Sequence, residues 1–134
     1  MSPKATIDTA LQNARDSLLL LATVNEKGIP HVAAARTASK AGNNQIAVKE
    51  WFCPQTVVNA ASERPVSLVL WNPADDSGHQ LVGRITEVTR TAMMDGYLPE
   101  EAENGSGPQE EHLLTITVDR ILLFSRAPHS DKEE

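Results

Sequence analysis

The chain has a single cysteine, Cys53, so it can form neither an internal disulfide nor a cysteine-based zinc site. A lone thiol suits a reducing compartment, and the expected location is the cytoplasm. Basic residues are also scarce, 12 Lys and Arg against 18 Asp and Glu, for a formal net charge of -6. Phosphate backbones are gripped by clustered cations, so this balance disfavours a nucleic-acid partner. No run approaches the roughly 20 apolar residues of a membrane span, and no charged-then-apolar leader opens the chain. A soluble protein with no membrane partner is the expectation. The four histidines, His31, His79, His112 and His129, are scattered and lack the i, i+4 pairing or carboxylate spacing of a metal site. No fixed repeat is present, and no residue stands out as a general acid or base, which leaves the catalytic residues unassigned.

What remains is 134 residues, 40% of them hydrophobic, enough for one compact domain with one core. The expected division is a domain over 1–126 and an acidic tail over 127–134. Charge is uneven: residues 1–66 hold seven Lys/Arg and five Asp/Glu, residues 67–134 five against thirteen. A small anion is therefore expected to seek the first half.

Ile7, Leu11 and Ala14 recur at helical spacing and predict a short amphipathic helix. The apolar run 17–24, closed by Asn25-Glu26-Lys27-Gly28, predicts a strand and a hairpin turn. A second strand is predicted over 30–38, a turn at 41–44 and a third strand over 45–51. Pro54 suits the first turn of a helix, and 55–62 completes about two turns before Arg64-Pro65 stops it. A fourth strand is predicted over 66–71 and a fifth over 79–89, with a bulge at Gly83. A helical turn over 92–98, a polar loop over 99–109 and a last strand over 113–124, bent near Asp119, complete the reading. The predicted fold is mainly β: a six-stranded antiparallel barrel with short flanking helices, because closure removes the edges that invite aggregation.

Three segments carry a resemblance: LLATVNEKGIPHVAAA (20–35), QTVVNAASERPVSLVLW (55–71) and GHQLVGRITEV (78–88). In order and spacing they resemble the pyridoxamine 5'-phosphate oxidase-like family of FMN-binding split β-barrels. The resemblance implies an FMN cofactor and a homodimer with flavin sites at the interface. It also implies a redox role, as an electron carrier or a flavin-dependent oxidoreductase. The pyridoxamine-phosphate oxidases themselves are longer, with a C-terminal substrate-binding segment that is not found here. Alternatives are the same fold holding deazaflavin or haem, or a flavin storage or sensor domain without turnover.

In this family the flavin phosphate is gripped near the start of the short helix, often by Lys-Thr-x-x-Asn. The matching residues are Gln55, Thr56 and Asn59. The start of a helix favours an anion and the Thr56 hydroxyl adds a donor. With Gln55 in place of the usual lysine, Lys49 on the third strand, beside Val48, is the candidate to restore the charge, and Arg36 is the second. The plain alternative is that Thr56 caps a helix and Lys49 is a solvated strand residue. The flavin ring is expected along the small residues Ala34 and Ala35, although an alanine run equally suits a tightly packed interior. Larger members carry an Arg and a Lys on this strand, near Ala33 and Ala38 here, which counts against Arg36. The resemblance places Gln80 against the flavin of the partner subunit; the alternative is an ordinary strand glutamine. Trp51 and Trp71 read as core or interface. Cys53 sits where a helix start favours a thiolate, with a buried, inert thiol as the expected state. His129 and Asp131 of the tail are expected to approach a neighbouring subunit's flavin.

Overall fold

The computed structural model describes residues 6–12, 17–93 and 110–127. Ala14, residues 94–98 of the helical turn expected over 92–98, the loop over 99–109 and the tail with His129 and Asp131 lie outside the described residues, while 92 and 93 are strand rather than helix.

The elements are α1 (Ile7–Gln12), β1 (Leu18–Val24), β2 (Pro30–Ala35), β3 (Thr37–Gly42), β4 (Gln45–Glu50), α2 (Pro54–Ala60), β5 (Pro65–Asn72), β6 (Ser77–Met93) and β7 (Glu110–Leu123). All seven strands form one antiparallel sheet in the order β2-β1-β5-β6-β7-β4-β3. The sequence predicts six strands, and the difference lies at Arg36. The strand expected over 30–38 is two strands, because β2 pairs with β1 while β3 pairs with β4 at the far end of the sheet. β2 and β3 are thus the two edges of the sheet, yet only Arg36 separates them. Two peptide units span at most about 7 Å. The sheet must therefore curl until its edges meet at that corner, which gives a split barrel without a closing ladder.

Strand alternation fills the interior. Leu21, Leu68 and Leu81 make one row across β1, β5 and β6, all fully buried. Ile46 and Ile116, then Val48 and Leu114, make two more across β4 and β7, also fully buried. Ile7 of α1 is buried in this core and Leu11 packs against it, as the helical spacing predicts, and Ala10 is buried beside them. The first hairpin turns at Gly28, whose φ of +80° is one that side-chain-bearing residues rarely adopt. Asn25 fastens that turn by accepting the N–H groups of Lys27 and Ile29 through Oδ1, at 2.8 and 2.9 Å.

The predicted irregularities fall together. Between β6 and β7 the register skips from Val82–Arg120 to Gly83–Val118, leaving Asp119 bulged. A Cβ on Gly83 would stand 2.0 Å from the Thr117 carbonyl oxygen, so only glycine fits there. β6 continues to Met93, past the predicted strand end at 89, because 87–93 pair with 110–115 of β7. Sequence pattern alone understates such a strand, since Thr, Glu and Arg alternate on its exposed side.

Candidate functional site

The corner where the sheet edges meet is where the expected site residues converge. Ala34 and Ala35 end β2, Arg36 makes the link, and Thr37 of β3 pairs with Lys49 of β4. Arg36 Nε lies 3.4 Å from Glu50 Oε2, with the arginine side chain 81% exposed and the carboxylate 14%. That pair is too exposed on its cationic side to contribute more than about 1 kcal/mol. Lys49 is exposed, and its ammonium has no acidic partner among the described residues. Val48 is fully buried, so its side chain belongs to the core and only its backbone can face a ligand. β2 pairs on one side only, leaving the outward N–H and C=O groups of its free edge without a strand partner at this corner.

The chain leaves β4 through Trp51-Phe52-Cys53 and enters α2, with Pro54 at its start as the sequence predicts. Thr56 and Asn59 lie one turn apart on the buried side of α2 and are almost wholly enclosed. Asn59 Nδ2 donates to Thr23 Oγ1 at 3.1 Å, and Gln55 Nε2 donates to Asn59 Oδ1 at 2.8 Å. This chain of bonds moors α2 onto β1 and satisfies amides that would be costly to bury unpaired. The Thr56 Oγ1 is 3.1 Å from His31 Nε2 and 3.2 Å from Cys53 Sγ. The N–H groups of Thr56 and Val57 both point back to the Cys53 carbonyl oxygen, at 3.0 and 3.4 Å. The start of α2 therefore offers an anion less than the sequence suggests, because Pro54 has no N–H and the next donors but Gln55's are spent internally.

His31 is the residue the sequence reading passes over. It lies 22 positions before Cys53, on a different element, and no spacing rule links the two. Inward alternation along β2 brings its Nε2 within 3.5 Å of Cys53 Sγ. Cys53 is exposed rather than buried, and its thiol is lowered to about 7. The Thr56 hydroxyl is the main cause, with the Thr56 N–H and His31 adding to it against a modest desolvation. A thiol so placed is substantially ionised at neutral pH, which makes it a nucleophile rather than an inert filler.

Gln80 is remote from the corner. It lies on β6, on the outer face of the sheet, where its Nε2 donates to Ser67 Oγ at 3.0 Å. Three strand spacings, about 14 Å, separate β6 from β2 across the sheet. Its row runs Ala34, Leu20, Val69, Gln80 and Leu122 across five strands. The neighbouring row holds Leu18 and Trp71, whose Nε1 donates to Asp76 and whose ring meets Phe124 edge-on at 5.9 Å. Two N–H donors, from Arg126 first and then Trp71, lower the Asp76 carboxyl below its usual range.

Neither a protein-family model nor a curated protein sequence matches the chain. Solved structures match it over nearly its whole length. HupZ of Group A Streptococcus superposes with a TM-score of 0.66 at 18% identity, covering 92% of this chain and 97% of its own. A pyridoxamine 5'-phosphate oxidase-related, FMN-binding protein of Nostoc punctiforme gives 0.59 at 14%, covering 96% and 93%. An F420 reductase gives 0.59 at 13%, covering 90% and 98%. With a single sheet whose edges meet at Arg36 and these structures matching nearly end to end, the chain has the fold of the pyridoxamine 5'-phosphate oxidase-like, FMN-binding split β-barrels.

Proposed function

We propose that this chain is an FMN-binding redox protein that works as a homodimer, with each flavin held at the corner around Arg36. One observation carries the reading. The two free sheet edges meet where residues 34–36 and 48–49, distant in sequence, come together beside an unpaired lysine. The residues suit a flavin phosphate and ring. Ala34 and Ala35 let a flat ring approach the unpaired backbone of β2, while Lys49 and Arg36 supply the positive charge that Gln55 lacks. Bound there, FMN would supply hydride or electron transfer, and the protein would bind, orient and tune it. Thr56 and Asn59 act by holding α2 in place, since their side chains are already engaged with His31, Cys53, Thr23 and Gln55. Gln80 is too far away to serve the flavin of its own chain and is assigned to the partner's.

The outer face of the sheet supports the dimer. Leu18 and Val32, 50% and 59% exposed, share it with Leu20, Val69, Trp71, Val82 and Leu122. An apolar face of this breadth on an antiparallel sheet calls for cover, and a second copy supplies an identical one. The absorption spectrum of freshly purified protein tests the cofactor: the reading predicts an oxidised flavin, while a deazaflavin spectrum would favour the chemistry named by the F420 reductase. The apoprotein is expected to quench added FMN, more weakly after Lys49→Ala and Arg36→Ala. Undiminished binding in the double variant would remove the corner assignment, and a flavin-loaded monomer in sedimentation would remove the dimer. Nicotinamide oxidation with FMN present separates the remaining choice, since steady turnover speaks for an oxidoreductase and its absence for carrier, storage or sensing.

A further inference from the structure

A cleft of about 420 Å³ lies between the first hairpin turn and the flank of α2, apart from the corner around Arg36. Its lining combines two kinds of group that rarely stay unused. Ile29 and Val58 are 56% and 64% exposed, two of the four large hydrophobic residues left open to water among the described residues. Lys27 and Arg64 also line it, and among the described residues neither has an acidic partner. Glu26 is the one carboxylate on the lining, so the cleft carries a net positive charge in a chain whose overall charge is -6. The walls are fixed independently of any ligand. Asn25 locks the turn through its two N–H bonds, and Gln55 is tied to Asn59 and through it to β1.

We propose that this cleft is a binding site for a small amphipathic anion, an aromatic or aliphatic body bearing a carboxylate or a phosphomonoester. The apolar body would lie between Ile29 and Val58, and the anionic end would meet Lys27 and Arg64. Neither half suffices alone. Exposed cations without apolar walls attract any anion weakly, and apolar walls without cations do not select charge. Gln55 and Asn59, which the resemblance places at a flavin phosphate, also line this cleft, so the proposal rests on the reading that seats the flavin at the Arg36 corner.

The test is an amide NMR titration of the full chain with phenyl phosphate and with 3-phenylpropanoate, using 3-phenylpropanol as the uncharged control. Both anions are expected to shift amides in 25–29 and 55–64, and the alcohol to leave them in place. Lys27→Gln with Arg64→Gln should weaken both anions about tenfold or more, as expected for lost charge-assisted bonds. Val58→Asp, which adds repulsion without touching either cation, should weaken them as well. The proposal is overturned if shifts gather elsewhere, if the alcohol binds as well as the anions, or if the double variant keeps its affinity with an otherwise unchanged spectrum. It is also overturned if saturating FMN displaces phenyl phosphate, because the cleft would then be the flavin's own phosphate seat. A protein that fails to bind FMN at all leaves this experiment intact and counts only against the flavin reading.

Discussion

Across β2, β1, β5 and the first half of β6, the outer rows of the sheet carry Val32, Leu18, Leu20, Val69, Trp71 and Val82. Across β3, β4, β7 and the second half of β6, the matching rows carry Thr37, Lys49, Leu113 and Thr89, then Ser39, Ala47, Thr115 and Glu87, a mixed and more polar set. The inner rows of both halves are equally apolar, with Leu21, Leu68 and Leu81 in one and Ile46, Ile116 and Leu114 in the other. One hydrophobic core therefore needs only the inner rows, and the apolar outer face on one half is the surface on which the proposed dimer rests. The helices differ in the same sense. α1 lies against the polar half with Ile7 and Ala10 buried and an exposed Lys40–Asp8 pair at 3.1 Å, whereas α2 is tied down by buried amides and hydroxyls. The half that carries buried polar bonds and a partly exposed apolar face is the half that the proposed dimer would use.

The strongest way to break the comparison is to cut the inner rows. Leu68→Ala and Ile116→Ala should each cost about 2–5 kcal/mol in urea unfolding, because each leaves a cavity at a fully enclosed position. A small cost at only one of them would show that the two halves do not share a core. The outer rows are contrasted next. If the proposed dimer forms through this face, Val69→Lys should convert it to monomer in sedimentation at a cost of about 3 kcal/mol, since it would bury an unpaired charge. Thr89→Lys on the polar half should leave the mass unchanged. Equal behaviour of the two variants would erase the difference between the faces.

The helix moorings give the next contrast. Asn59→Ala should cost about 1–3 kcal/mol by stranding the buried Thr23 hydroxyl, while Lys40→Ala should cost no more than about 1 kcal/mol. Similar losses would mean that α2 is held by packing alone. The smallest effect concerns Cys53. Its thiol pKa of about 7 predicts iodoacetamide alkylation that is half-maximal near pH 7, moving toward the ordinary thiol range in Thr56→Val and, less, in His31→Ala. Because this folded pKa lies below the unfolded value, the bonds to the thiolate stabilise the fold above the ordinary thiol pKa. That contribution is lost as pH falls through about 7. An alkylation profile centred at the ordinary thiol pKa in the unmodified protein would remove the Thr56 and His31 contribution.

Local chemistry made much of the fold legible. The turn at Gly28, the start of α2 at Pro54, the bulge at Gly83 and the bend at Asp119 each follow from what one residue permits its own backbone. The division at Arg36 was not legible, because the residues from 30 to 38 read as one strand and nothing local says that the chain changes partners there. His31 was hidden for a related reason: its meeting with Cys53 and Thr56 joins an edge strand to a helix, and no periodicity crosses that gap. The resemblance pointed to Thr56 and Asn59 as ligand contacts, but their side chains turned out to be spent on β1 and β2.

Strand periodicity, turn residues and charge by themselves determined a single mainly β domain with one short helix before the sheet and another within it. These are properties of residues close in sequence, whose steric and hydration preferences act without knowledge of the rest of the chain. Only the tertiary structure decided that the two sheet edges meet at one arginine, that a histidine and a cysteine share a threonine hydroxyl, and that one outer face is apolar. Those depend on which strands pair, and pairing is settled by the burial of the whole sheet at once.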